Sequence, residues 1–312
     1  MRGEFQAKLM KALEEELEGA DKATKFIQDL YDCDYSTARR KFNGDIKLGL
    51  EQFAKLAKRF PRILNLAFHE FLPPDTYLVH YSSFRNFREV NKYLGEVIRR
   101  FEKGLAKGAL LKYVARDLPL FFFLSDRKLA GFKIALWANQ LNQQGPFNLG
   151  IETYHLCREL YRLYKNIDSL EIWNRNVLVN QFHMIDWYCQ LRHIDGNFKA
   201  YLFEVIENRI RELRTWSGQG KKDGMGNLNI LFTDFITMNN GGMLQTDKEQ
   251  VLMTAVSNVN YITFKQGVPC VNFLREFEIH QSYATSISRS NALSREKIFK
   301  QLLEDLQGGG KT

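Results

Sequence analysis

Between Ala23 and Asn43 the chain carries two apolar stripes at helical spacing, separated by only three residues. Ala23, Phe26, Ile27, Leu30 and Tyr31 form the first stripe. "DCD" at 32–34 interrupts it, and "YSTARRKF" resumes the pattern for two turns before Asn43-Gly44, a helix-stop signal. A connection that short makes the two helices pack across each other, which requires Ile27, Leu30, Cys33, Ala38 and Phe42 to face inward. Ala38 is small and mid-helix, so it permits a close approach. The outward face of the second helix then offers Tyr35, Ser36, Thr37, Arg39, Arg40 and Asn43, side chains suited to base edges and phosphates.

Further helices bracket this pair. Phe5, Leu9, Leu13 and Leu17 mark a helix over 5–18, ended at Gly19, and Asp21 is the expected N-cap of the next. A fourth helix is expected from about Gly49 to Arg59 with Leu50, Phe53, Ala54 and Leu56 turned inward. A fifth, "RILNLAFHEFL", follows Pro61, and Pro73-Pro74 is the best domain boundary in the chain.

The formal net charge of +8 is unevenly placed. From Thr37 to Asn65 eight basic residues (Arg39, Arg40, Lys41, Lys47, Lys55, Lys58, Arg59, Arg62) face two acidic ones, Asp45 and Glu51. An acidic helix followed by a basic one suits a polyanion partner, although a charge run alone reads equally well as a solvated face. Lys47 and the start of the fourth helix could hold a phosphate through charge and exposed N–H groups.

"ATKFIQDLYDCDYSTARRKFNGDIKLGLEQFAKLAKRF", residues 23–60, resembles the phage-repressor-type (XRE-like) helix-turn-helix fold in its BetR-like N-terminal variant. The carrying features are the aromatic-Ser-x-Ala-x-Arg-Arg core ending in Gly and the Leu- and Ala-rich helix after it. The resemblance implies that the helix Tyr35–Asn43 enters the major groove of double-stranded DNA. Tyr35, Ser36, Thr37, Arg39, Arg40 and Asn43 would then be the reading positions, with Lys41 and Lys47 on the backbone. Two positions depart from the pattern: Gln28 stands where a small alanine is usual, and Asp32 where glycine is usual. Asp tolerates left-handed geometry better than most residues, so the turn is expected to survive.

Beyond Pro74 the pattern is mostly helical. Residues 86–118 and 126–143 show helical spacing, and 147–216 read as three or four amphipathic helices. "SGQGKKDGMGN" at 217–227 has the composition of a flexible loop. After it, "LNILFTDFITM" and "QVLMTAVSNVNYITF" read as two or three strands, and a capped helix begins at Ser294. The stretches "LLKYVARDLPLFFFLSDRKLAGFKIALW" and "SYATSISRSNALSREKIFKQL" resemble the long C-terminal region of bacterial regulators with a single helix-turn-helix. That likeness implies dimerisation or effector sensing.

Other features carry less. Cys33, Cys157, Cys189 and Cys270 are far apart, with no metal-ligand spacing, and read as buried free thiols in a reducing compartment. His155, His183 and His193 lack ligand spacing and read as core or interface residues. Trp137, Trp173, Trp187 and Trp216 read as core before they read as a sensory pocket. The basic residues Arg85, Arg88, Arg99, Arg100, Lys103, Lys107 and Lys112 read as a solvated face before a wider DNA footprint. "GGGKT" at 308–312 lacks the helix that a phosphate-binding loop requires and reads as a tail. The N-terminus has no continuous apolar run, and "LPLFFFL" is too short to span a bilayer, so a cytoplasmic protein without a membrane partner is expected.

The expectation is therefore a mainly α protein. A five-helix helix-turn-helix DNA-binding domain occupies residues 1–73, and a larger, mostly helical domain with a small β element occupies 74–312. The function expected is that of a sequence-specific transcriptional regulator, a homodimer answering to an unidentified small-molecule or protein effector, with no enzymatic activity, cofactor or metal. The competing reading is an interaction or scaffold protein that keeps the fold without reading DNA.

Overall fold

The computed structural model describes residues 4–60, 80–82, 86–137, 149–257, 260–265 and 267–309. The chain is mainly helical with an open sheet, and it divides into two compact units, residues 1–80 and 81–312. The fifth helix expected after Pro61 and the Pro73-Pro74 boundary lie outside the described residues.

The first unit contains α1 (Glu4–Leu17), α2 (Ala20–Tyr31), α3 (Tyr35–Asn43) and α4 (Leu50–Arg59). Leu9, Met10, Leu13, Ala23, Ile27, Ala38 and Leu56 form its core. The chain reverses between α1 and α2 through Glu18 (φ 58°) and Gly19 (φ 145°). Gly19 rather than Asp21 is therefore the N-cap of α2, and Asp21 lies in the first turn, where a carboxylate complements the helix dipole. In α4 the inward residues are Leu56 and, half-buried, Phe53, whereas Leu50 is 84% exposed and Ala54 is exposed. Both lie a third of a turn or more round the helix from Leu56, so the pattern expected there is corrected.

The second unit is built on an eight-stranded sheet of order β1-β7-β6-β5-β2-β3-β4-β8. Its strands are β1 (His80–Ser82), β2 (Leu110–Ala115), β3 (Asp168–Asn174), β4 (Leu228–Thr233), β5 (Gly241–Gln245), β6 (Gln250–Ser257), β7 (Asn260–Lys265) and β8 (Thr285–Ser286). β2, β3 and β4 run parallel, with Leu110 opposite Asp168 and Ser169 opposite Leu228. β5, β6 and β7 continue the sheet antiparallel from β2, and β8 lies antiparallel on β4.

One face carries α5 (Phe87–Ala106), α6 (Leu120–Phe123), α7 (Arg127–Trp137), α8 (Ile151–Asn166), α9 (Val179–Gln190), α10 (Gly196–Gln219) and α12 (Ala292–Gly309) over the larger core. On the other face a smaller core forms under α11 (Val268–Tyr283). There Cys270, Phe273 and Phe277 meet Val114, Ile172, Leu231, Met243 and Leu252.

The β content exceeds the two or three strands expected. Helical spacing over 86–118 ends at Ala106, and Gly108 (φ 65°) turns the chain into β2. β2 is a central strand covered on both faces, so it reads as an apolar run without alternation. β3 interrupts the helices expected over 147–216. The segment expected as a flexible loop at 217–227 is a packed turn. There Lys222 is buried, and a methyl group on Gly226 would collide with the Ile167 carbonyl. The last helix starts at Ala292, and Asn291 Oδ1 accepts the Ser294 N–H at 3.3 Å, so Asn291 rather than Ser294 acts as the cap. Among the described residues no helix is long and apolar enough to cross a membrane.

Candidate nucleic-acid interface

The turn between α2 and α3 rests on one left-handed residue. Asp32 takes φ 48°, ψ 55°, and its N–H and that of Cys33 both reach the Gln28 carbonyl. Asp34 then caps α3: its carboxylate accepts the Thr37 N–H at 2.8 Å and the Thr37 hydroxyl at 2.7 Å. The hydroxyl first and the backbone N–H second hold the Asp34 carboxyl below its ordinary range. Gly44 (φ 87°) closes the helix with its N–H on the Lys41 carbonyl. Ile27 and Ala38 are fully buried where the helices cross, and Leu30, Cys33 and Phe42 are half-buried around them. All five face inward as the spacing requires.

The reading positions fall into two groups. Ser36, Arg40 and Asn43 are exposed at i, i+4 and i+7 along one stripe of α3, and Lys47 is exposed in the loop beyond. The remaining positions are engaged within the unit. Tyr35 is 46% exposed, with its hydroxyl 3.3 Å from the Asp21 carboxylate. Thr37 is taken up by Asp34. Arg39 Nη1 donates to Thr24 Oγ1 at 3.2 Å and lies 3.6 Å from Asp21, its guanidinium over the Phe42 ring. Lys41 is corrected from backbone contact to internal link. It is buried, with Nζ donating to Gln52 Oε1 at 3.1 Å and lying over the Tyr31 ring. The reason is angular, because Lys41 follows Ala38 by three residues and shares its inner side.

Gln6 is a positioning residue that the spacing argument misses. Its Nε2 donates to the carbonyls of Lys41 and Ile46 at 2.7 and 2.8 Å, and its Oε1 accepts the Leu48 N–H at 3.0 Å. One side chain thereby fixes the end of α3 and the loop carrying Lys47. The signal was a polar residue heading the Met10–Leu13–Leu17 line of α1. Tyr31 adds a second tie, its hydroxyl donating to the Gln52 carbonyl at 2.8 Å, and burial pushes that hydroxyl up to about 12.

No family model, curated protein or solved structure matches this chain.

The second unit holds its charges differently. Glu171 is fully buried on β3 and accepts from Tyr164 Oη (2.8 Å), Ser169 Oγ (2.7 Å) and Trp173 Nε1 (2.9 Å). Buried Lys222 donates to the carbonyls of Tyr164 and Ile167 and lies 4.0 Å over the Tyr164 ring, and burial brings its amine down to about 8. At the carboxyl end of β2, Asp117 accepts from Asn180 Nδ2 at 3.1 Å, and Asn240 Oδ1 accepts the N–H groups of Arg116 and Asp117. Burial also brings the Lys133 amine down to about 8, with Asp117 opposing that shift.

The remaining candidates are placed as follows. Trp137, Trp173 and Trp216 are core and Trp187 is 54% exposed. His155 and His183 are exposed rather than core, and Asp186 pairs with Lys199. All four cysteines are free, with Cys157 and Cys270 buried and Cys33 and Cys189 half-buried. Among the basic residues of the second unit, Arg100 pairs with Glu96, Lys107 with Glu249, and Lys112 lies over Phe277. Arg85 lies outside the described residues. Among those residues no group of three or more His, Cys, Asp or Glu could hold a metal.

Proposed function

We propose that this chain is a sequence-specific DNA-binding transcriptional regulator of the XRE-like helix-turn-helix type. In this reading α3 is the recognition helix in the major groove, and the second unit serves oligomerisation or signal sensing. The observation that carries the reading is the donor stripe of α3. Ser36, Arg40 and Asn43 project from a helix crossed against α2 over a fully buried Ala38, behind a three-residue turn. Arg40 has the fork geometry for guanine and Asn43 the amide for adenine, while Lys47 supplies a phosphate contact. Tyr35 and Thr37 flank the stripe, and Arg39 and Lys41 brace it from within.

One observation favours the second reading, a protein-interaction module without DNA readout. Two of the three cations of α3 are engaged internally, and Asp32 and Asp34 adjoin the helix. Selection from random DNA followed by sequencing separates the two. A regulator yields an enriched motif whose binding weakens steeply with salt. A flat selection, together with no binding below micromolar at low salt, would sink the regulator reading.

A further inference from the structure

The carboxyl ends of the parallel strands carry polar groups that the fold itself does not use up. Open α/β sheets take up ligands at that end, among the loops beyond the strands. Asp117 follows β2 by two residues, and Asn180, in the first turn of the helix after β3, donates to its carboxylate at 3.1 Å. Asn240, from the β4–β5 loop, accepts the Arg116 and Asp117 N–H groups and fixes the backbone beneath that carboxylate.

Two donors stand beside Asp117 without acceptors. Gln181 is 3% exposed, and its Nε2 is buried with no hydrogen-bond partner. Lys133 Nζ lies 4.6 Å over the Phe123 ring and has neither an acceptor nor an ion pair among the described residues. The packing of α7 on α9 brings the two together. Phe132 of α7 meets Tyr188 of α9 edge to face, with ring centroids 6.0 Å apart. Gln181 precedes Tyr188 by two turns on the stripe that faces α7, and it adjoins Asn180. Lys133 follows Phe132, and its amine is close enough to Asp117 for that carboxylate to oppose the downward pull of burial. Its side chain is partly exposed, which gives a small molecule access.

A buried donor left unpaired destabilises a fold, and each such group calls for an explanation. An amine in apolar surroundings without a counter-ion is a weak anchor for an anion and a strong nucleophile. With its amine near 8, Lys133 is neutral at pH 7 roughly 300 times more often than a lysine at the ordinary 10.5.

We propose that Lys133 captures a small carbonyl compound as an imine, while Gln181 Nε2 donates to a second oxygen of that compound. Nζ adds to the carbonyl carbon as the neutral amine. Its two protons pass to the carbonyl oxygen, which leaves as water, and Asp117 relays them. No oxidant or reductant enters, and hydrolysis releases the compound again. The site lies wholly in the second unit and does not depend on whether the first unit reads DNA.

The probe is glyoxylate, whose carboxylate adjoins its carbonyl. Cyanoborohydride traps the imine as a secondary amine, and peptide mapping by mass spectrometry locates it. In the full chain at neutral pH, Lys133 should be modified at least tenfold faster than the median lysine. Gln181→Leu should lower that capture severalfold, yet leave capture of acetaldehyde, which lacks the second acceptor, unchanged. This substitution removes the unpaired amide without emptying its space, so the melting temperature should hold or rise. Asp117→Asn should slow capture of both compounds. Modification spread evenly over the lysines would overturn the proposal. So would glyoxylate capture indifferent to Gln181→Leu, or a rate at Lys133 indifferent to Asp117→Asn. A lower melting temperature for Gln181→Leu would overturn it too, by showing that the amide serves the fold. None of these readouts involves α3, so the proposal and the regulator reading can fail separately.

Discussion

α3 and α11 are both short helices that bury one stripe in their own unit and leave the other outside. The outer stripe of α3 is Ser36, Arg40 and Asn43, groups that water satisfies until a ligand replaces it. That of α11 includes Val268, Val271, Ile279 and Tyr283, whose exposure costs free energy until something covers them. Exposure alone does not identify a partner; the chemistry exposed does. A donor stripe beside an exposed lysine calls for a polyanion, and its affinity must fall with salt. An apolar stripe calls for an apolar cover, and salt should affect such a contact much less.

The strongest way to break this comparison is to strip α3 of its free donors. Arg40→Ala with Asn43→Ala should cost about 1–3 kcal/mol of base discrimination for each residue and leave sedimentation of the protein unchanged. Fluorescence titration against a selected sequence and a scrambled one measures the loss. Arg39→Ala should cost less than Arg40→Ala, because Thr24 and Asp21 already hold the Arg39 guanidinium. An equal loss would show that Arg39 leaves those partners on binding.

The next effect is on stability. Ala38→Leu adds methylenes where α2 and α3 cross and should destabilise the first unit by about 1–3 kcal/mol. All four tryptophans belong to the second unit, so their fluorescence should not register the change that far-ultraviolet circular dichroism does. A coincident loss of both signals would mean that the two units unfold together.

Which parts of this were legible in the sequence follows from how each residue is constrained. The α2–α3 crossing was legible because Ile27, Ala38 and Phe42 obey a helical period that a three-residue turn cannot disturb. Lys41 was misplaced by weighing its charge above its angle: the same period that buries Ala38 buries the residue three positions on. β2 escaped because a strand covered on both faces loses the alternation that identifies strands. β3 escaped because its inward face carries Ser169 and Glu171, which look like surface until the Glu171 carboxylate is seen to accept from Ser169, Tyr164 and Trp173. The turn at 217–227 looked flexible because glycine serves close packing as readily as freedom, and at Gly226 it serves packing.

The smallest effects are on pH, and they separate the units by the range in which they act. In α3 the Asp34 carboxyl is held below its ordinary value, so its contribution is present above that value and is lost as pH falls through the lowered one. Amide exchange at Thr37 should therefore accelerate, beyond the intrinsic trend, as pH falls below the ordinary value of 3.8. In the second unit the slope has the same sign in an alkaline window. Lys222 has an amine near 8 when folded against 10.5 ordinarily, so above pH 8 the unfolded chain holds the extra proton and stability rises with pH. From pH 7.5 to 9 that gain is on the order of 1 kcal/mol, with Lys133 acting in the same direction. The window matters: Cys157, pushed up to about 12 by burial, and the buried tyrosines begin to oppose the gain only above the ordinary values of 9.0 and 10.0. Denaturant midpoints read by tryptophan fluorescence should climb across this window. A flat or falling midpoint would mean that the Lys222 ammonium is better solvated by its two carbonyls and the Tyr164 ring than its burial indicates.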